Sequence, residues 1–231
     1  MTLRASLNEQ IFSYLDLILP KYDEQVKIGD LFFAFNQKIE LNNKTNTDLE
    51  AMAKLIYDYW FVQFDFPDEN GKPYKSSGGK MIYNDNLKRE IPSGWEVKEL
   101  GDLLFQVSDS LEPDEYPNLK YLPIDKLPTK KLYYDQYEKR SEANSSLIRF
   151  LEDDILLGAM RVYFHRVCNA AEDGISRSTL MVLRAKVNYH KNFGLFTLNR
   201  EEAIEYATVN STGTSIPYAK WNSNMEKYKI C

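Results

Sequence analysis

The chain is short of several features that would assign it a chemistry at once. It has 2 cysteines in 231 residues, Cys168 and Cys231, so no disulfide framework staples it. It has 2 histidines. His165 and Cys168 stand at H-x-x-C spacing, but neither His190 nor Cys231 supplies the second paired element that a zinc site needs, and His165 reads instead as a surface or ligand-facing side chain. No apolar run approaches the ~20 residues of a membrane helix. The first residues, MTLRASLNEQIFSYLDLILP, place acids inside the apolar part, unlike a secretory leader. The expected location is therefore the cytoplasm, with no membrane contact. Positive charge is also lacking: the net charge is −5, which for the whole chain weighs against nucleic acid.

Catalytic signatures are equally sparse. There is no N-P-P-Y/F or D-P-P-Y tetrapeptide, no glycine loop for a methyl-donor cofactor, and no serine on a nucleophile elbow. One nuclease pattern exists on paper. Pro67-Asp68 followed by Glu96-Val97-Lys98 fits P-D…(D/E)-x-K, in which two carboxylates hold a divalent metal and a lysine orients water. The pattern is short and degenerate, and Pro67-Asp68 does not sit on a strand. The chain is expected to perform no covalent chemistry itself and to need no cofactor of its own.

What is present is organisation. With 43% hydrophobic and 13% aromatic residues, the chain has enough apolar content for a core. Residues 22–64 read as one long helix with a soft centre. Following 4/3 spacing gives Ile28, Phe32, Phe35, Ile39, Asn42, Asn46, Leu49, Met52 or Ala53, Ile56 and Tyr59 or Trp60. That seam is too long for an ordinary globular helix and suits a helix partner. Its two asparagines weaken packing but penalise slipped registers. Pro67, Gly71, Pro73, Gly78 and Gly79 then stop the helix, and 65–94 reads as a hinge. From residue 95, strand-like segments alternate with turns, and 192–209 suits helix with Asn199 as a cap. The expected fold class is α+β: a long coiled-coil-type spacer helix followed by a mixed α/β domain over 95–231.

Charge is unevenly spread. Residues 155–200 hold seven Lys/Arg against Glu172 and Asp173, and 120–140 hold six bases against three acids. A local basic face on an acidic body is compatible with phosphate binding. Gly158–Val167, GAMRVYFHRV, places Arg161, Tyr163, His165 and Arg166 around a turn between two strands. Arginine can bind guanine O6 and N7 with two hydrogen bonds, or clamp a phosphate.

Tyr57–Pro67, YDYWFVQFDFP, followed by Ser76–Met81, SSGGKM, and Ile91–Trp95, IPSGW, resembles the central region of the DNA-specificity subunit of type I restriction–modification systems. Y-D-Y-W-F-V-Q-F-E/D-F-P, S-S-G-G-K-M and I-P-x-G-W form a signature of that family, running over some fifty positions. Arg161-Val162-Tyr163 resembles its R-P-Y segment with Val in place of Pro. Arg177-Ser178 and Asn210-Ser211-Thr212-Gly213-Thr214-Ser215 resemble two further segments. A faint echo between 6–20 and 215–231 fits a family in which two recognition domains alternate with two long helices. On that resemblance the chain is a half-length form: residues 1–21 end one recognition domain, 22–64 are spacer and dimerisation helix, and 95–231 are a target-recognition domain.

The resemblance implies that this chain reads double-stranded DNA while partners act on it. A methylation subunit that binds S-adenosylmethionine would modify adenine, and a restriction or motor subunit would cleave. The DNA-facing set is then Lys126, Lys130, Lys131, Arg161, Tyr163, His165, Arg166, Arg177, Ser178, Thr212, Gly213, Thr214 and Ser215. The partner-facing set, for a second copy or the methylation subunit, is Phe35, Ile39, Asn42, Asn46, Leu49, Ile56, Tyr57, Trp60 and Phe61. Two other readings stand beside it: a coiled-coil adaptor or decoy that binds the methylation subunit without DNA, and the metal-dependent nuclease.

Overall fold

A computed structural model describes residues 13–14, 16–112, 115–143 and 146–231. Most of the expected 1–21 tail, and with it the start of the internal echo, lies outside the described residues. The chain divides into two compact units, Met1–Leu49 and Glu50–Cys231. Among the described residues no helix is long and apolar enough to cross a membrane.

One helix, α1, runs through Tyr22–Tyr57. Lys21 O accepts from the Glu24 and Gln25 amides, the Gln25 side chain bonds Pro20 O, and Asp23 and Glu24 sit in the first turn. Acids there oppose the positive end of the helix dipole. The polar centre, expected to be soft, stays helical. Thr45 and Thr47 turn their hydroxyls back onto Leu41 O and Asn43 O, at 2.9 Å each, and so do not compete for another backbone conformation. The helix ends in a π turn over Asp58–Val62. Phe64 then takes φ 66°, the left-handed region that no helix continues through, and Pro67 follows.

Residues 65–94, expected as a hinge, are tied down. Strand β1 (Met81–Asn84) pairs antiparallel with β2 (Arg89–Pro92). Phe66 stacks on Tyr74 and on Trp95 at 4.8 and 5.0 Å between centroids, and Phe64 meets Trp95 edge-on at 5.5 Å. Phe64 is buried, with the Arg89 guanidinium 4.5 Å above its ring. Asp65 accepts from the Ser76 amide and hydroxyl, which hold its carboxyl below the usual range. The prolines and glycines break the helix as expected, but the aromatic residues between them fix the segment.

The remainder is mixed. After β3 (Lys98–Glu99), a single turn α2 (Leu100–Leu103) and β4 (Leu104–Gln106), the chain lays down β5 (Ser110–Leu111), β6 (Lys120–Tyr121), β7 (Leu147–Phe150), β8 (Ile155–Gly158), β9 (Val167–Asn169), β10 (Gly174–Arg177) and β11 (Leu180–Ala185). Two four-stranded sheets form, in the orders β5-β7-β10-β6 and β4-β11-β8-β9. Among the described residues the pairing of β10 with β6 is parallel and the other strand pairs are antiparallel. Strands β8 and β11 are apolar almost throughout and buried on both faces. Gly174 lies opposite Phe150, and a Cβ there would come within 2.4 Å of the Phe150 ring.

The helical stretch 192–209 divides into α3 (His190–Leu198) and α4 (Glu201–Val209). Arg200, extended at φ −80°, ψ 146°, is the N-cap of α4, one residue beyond the expected Asn199. Both helices pack into the larger core with Leu104, Ile155, Leu157, Val167 and Leu183. A last strand, β12 (Lys229–Ile230), pairs with β3. The architecture is α+β: one long helix leading into a mixed sheet unit.

Candidate nucleic-acid interface

Between β8 and β9 the chain makes a tight 3-10 turn, Val162–Phe164, flanked by Arg161 at φ 52° and His165 at φ 54°. Left-handed geometry at a residue with a Cβ costs of order 1–3 kcal/mol and persists only where surroundings hold it. Here they do. Val162 is fully buried, the Arg161 amide donates to Pro217 O at 2.8 Å, and the Gly158 amide donates to Arg166 O at 2.9 Å. His165 O accepts from the Lys130 amide at 2.8 Å. The anchored turn leaves Arg161, Tyr163 and Phe164 exposed.

A second loop, 210–219, is sewn to this turn. Thr212 and Tyr218 exchange backbone hydrogen bonds at 2.8 and 3.0 Å, and the Ala219 amide bonds Ala159 O at 2.9 Å. Gly213 sits at φ 97°, and a Cβ there would meet Ile216 O at 2.9 Å, so the loop requires glycine. A third segment joins through Tyr218, whose hydroxyl donates to Ser178 O. Burial pushes that phenol up. Tyr218, with Pro217, is thus the hub joining the 161–164 turn, the 177–178 turn and the 210–219 loop. Tyr218 lies just beyond the polar run Asn210–Ser215, and its one local signal in the sequence is Pro-Tyr closing a run of small polar residues. Exposed around the hub are Arg161, Tyr163, Arg177, Ser178, Thr212, Thr214 and Ser215, donors of the kind that bind phosphate oxygens and base edges.

The basic residues divide into those with and those without a carboxylate partner among the described residues, Arg177 of the latter bonding the Tyr121 side chain. Arg161 and Arg177 are exposed and form no ion pair among the described residues. Lys126 is held by Glu138 at 2.9 Å and Lys130 by Glu201 at 2.6 Å. Lys131 is exposed, 5.9 Å from the Tyr133 ring centroid. Arg166 bonds Ile124 O at 3.1 Å and lies 5.1 Å over Phe164. Much of the basic surplus in 155–200 is neutralised by acids outside or at the edge of that window: Arg184 by Asp154, Lys191 by Asp153 and Arg200 by Glu202, at 2.7, 2.7 and 2.8 Å.

His165 requires a correction. Expected at the surface, it is 4% exposed. Its Nε2 lies 3.0 Å from Asn199 O and its Nδ1 3.5 Å from Glu201. Burial holds its pKa below the ordinary imidazole value, outweighing the attraction of Glu201. The left-handed backbone turns the ring inward, where it braces the turn and offers nothing to a ligand.

The partner-facing set also divides. Phe35, Ile39, Asn42, Asn46 and Leu49 are exposed on the first unit's part of α1, and Ile56 and Trp60 are exposed in the second unit. Tyr57 is not a free anchor. It is 7% exposed, its hydroxyl is 2.8 Å from Thr197 Oγ1, and its ring packs on Phe61, Phe193 and Phe196. Burial pushes its phenol up to about 12. Phe61 is half-buried against Phe193, 5.0 Å between centroids. Tyr57 thus belongs to the chain's own core, and Phe61 packs beside it on Phe193 of α3.

The nuclease pattern does not assemble. The Asp68 carboxylate caps its own turn through the Asn70 and Lys72 amides at 2.8 Å each, while Glu96 pairs with Lys98 at 3.9 Å. Among the described residues no group of three or more His, Cys, Asp or Glu is arranged to hold a metal.

Three polar loops of the α+β unit thus meet at Tyr218. Sequence comparison supplies the relatives. The chain is 37% identical over 99 residues to the type I restriction enzyme MjaIX specificity subunit of Methanocaldococcus jannaschii, a match covering 43% of this chain and 21% of that protein. It is 32% identical over 107 residues to the HindI specificity subunit of Haemophilus influenzae, covering 46% and 22%. Over these stretches the chain is similar to type I restriction specificity subunits, and each match spans about a fifth of the matched protein's length. No family model matches. Among solved structures, an HsdS subunit from Thermoanaerobacter tengcongensis aligns with TM-score 0.48 and 18% identity over 61% of this chain and 38% of that one. A chain from a type I R-M system complex aligns with TM-score 0.44 and 13% identity over 92% and 48%.

Proposed function

We propose that this chain is a DNA-recognition subunit of a type I restriction–modification complex, reading sequence while partner subunits methylate adenine and cleave. The observation that carries this reading is the convergence on Tyr218 of three loops bearing two arginines with no ion pair among the described residues and several exposed hydroxyls. Arg161 and Arg177 suit guanine edges or phosphates, and Thr212, Thr214, Ser215 and Ser178 suit phosphate oxygens. Similarity to two curated specificity subunits supports it.

In this reading the catalytic groups belong to partners, and the exposed seam of α1 holds a second copy of the chain and the methylation subunit. An antiparallel pair of helices would set two recognition units at opposite ends, matching a split target. Whole-chain protein mixed with the methylation subunit and a randomised duplex pool should enrich one sequence. Retention of the methylation subunit with no enrichment would instead favour the adaptor reading, in which no DNA is read.

A further inference from the structure

Tyr163 and Phe164 are large aromatic side chains standing side by side in water, 49% and 40% exposed, with ring centroids 5.0 Å apart. Exposed apolar residues scattered singly need no explanation, but two adjacent rings at the apex of a braced turn do. The turn cannot readily fold them away. Val162, which precedes them, is buried, the His165 ring, which follows them, lies 3.0 Å from Asn199 O, and Arg161 and His165 on either side have left-handed backbone. The Arg166 guanidinium lies 5.1 Å over the Phe164 ring and itself bonds Ile124 O at 3.1 Å, so one ring face is backed by an anchored cation. Arg161, next to Val162 in the same turn and in no ion pair among the described residues, adds positive charge at the same apex.

We propose that Tyr163 and Phe164 form a wedge that inserts against one base step of the bound duplex and unstacks it. The inference rests on the DNA-recognition reading and adds the mode of contact. Apolar or aromatic side chains that enter a base step are known to unstack and kink DNA, with neighbouring cations holding the flanking phosphates. Rigid rings lose little freedom on binding, and base–aromatic stacking tolerates any base. Charge selects this occupant: an apolar tip bracketed by Arg161 and Arg166 suits a stacked base between phosphates. An apolar protein groove would leave the Arg161 guanidinium to be desolvated without an acceptor.

The test uses the full chain with the methylation subunit and the duplex enriched from the pool, carrying the fluorescent base 2-aminopurine singly at each position. Binding of the wild type should raise emission severalfold at one step. Tyr163→Ala with Phe164→Ala should abolish that rise and weaken binding at least tenfold, while Tyr163→Phe keeps both. Thermal melting of each variant reports folding, and both rings are exposed enough for truncation to be tolerated. Tight, sequence-preferring binding with unchanged emission at every position would overturn the wedge and leave the recognition reading standing. So would a double variant that binds and unstacks like the wild type, or one that loses the methylation subunit and keeps DNA. Absence of any sequence preference in the wild type would overturn the recognition reading, and the wedge with it.

Discussion

Tyr57 offers the sharpest test of how the helix end is used, because its ring and its hydroxyl make separable contributions. The ring is 7% exposed against three other aromatic rings with centroids 5.3–5.7 Å away. Truncating a buried aromatic to alanine costs roughly 3–5 kcal/mol. The hydroxyl shares a buried hydrogen bond of 2.8 Å with Thr197. Tyr57→Phe should therefore cost about 1–3 kcal/mol, since the Thr197 hydroxyl is left in a dry site. Adding Thr197→Val to Tyr57→Phe removes both polar groups, and the pair should be more stable than the Phe variant alone. Urea unfolding of the four proteins, followed by far-UV circular dichroism, supplies the cycle. Alkaline titration gives a second readout. The phenol is raised from 10.0 to about 12, so the stabilisation tied to its protonated form is complete below pH 10 and is lost as pH rises from 10 towards 12. Tyr57→Phe should flatten that window. If Tyr57→Ala instead changed stability by less than about 0.5 kcal/mol, as at an exposed site, and abolished capture of the methylation subunit, the packing argument would be refuted.

Further outcomes follow from the same contacts. The exposed seam of α1 should drive self-association, so sedimentation at micromolar concentration should show a dimer that Ile39→Asp and Ile56→Asp each weaken; a monomeric wild type would sink this. His165 is buried with a lowered pKa, so its contribution to stability is present above the unfolded value of ~6.5 and declines as pH falls through it. His165→Asn, a residue that tolerates the left-handed backbone, should remove that part of the acid slope, and an unchanged slope would place its origin elsewhere.

The long helix was legible because its seam and terminators are local: apolar spacing, acids in the first turn, and Pro67 past the end. The two sheets were less so. Strands such as Ser110–Leu111 and Lys120–Tyr121 are two residues long and are defined by distant partners, which leaves little pattern to read. The hinge reading of 65–94 saw the prolines and glycines correctly, but could not see that Trp95 returns to stack on Phe66 and close on Phe64. Charge misled in a specific way. Part of the basic surplus of 155–200 is neutralised by Asp153, Asp154 and Glu202, which lie just outside that stretch. The site loops were named from their residue types and from resemblance. The link that brings them together, Tyr218 with Ser178, spans 40 positions and leaves no local trace. His165 was misplaced because composition does not reveal a left-handed backbone that turns a side chain inward.

The central claim is that an anchored rim carrying Arg161 and Arg177 reads DNA sequence. The most direct measurement is fluorescence anisotropy of the chain, with the methylation subunit, on the enriched duplex and on a scrambled one across a salt series. Binding should prefer the enriched sequence and weaken steeply with salt, as expected where phosphate contacts release counterions. Arg161→Ala and Arg177→Ala should each lower affinity about tenfold or more, in line with ~1–3 kcal/mol for a lost base contact. Lys130→Ala, whose charge Glu201 already neutralises at 2.6 Å, should change affinity less than threefold. Equal affinity for both duplexes, or equal losses from all three substitutions, would contradict the account.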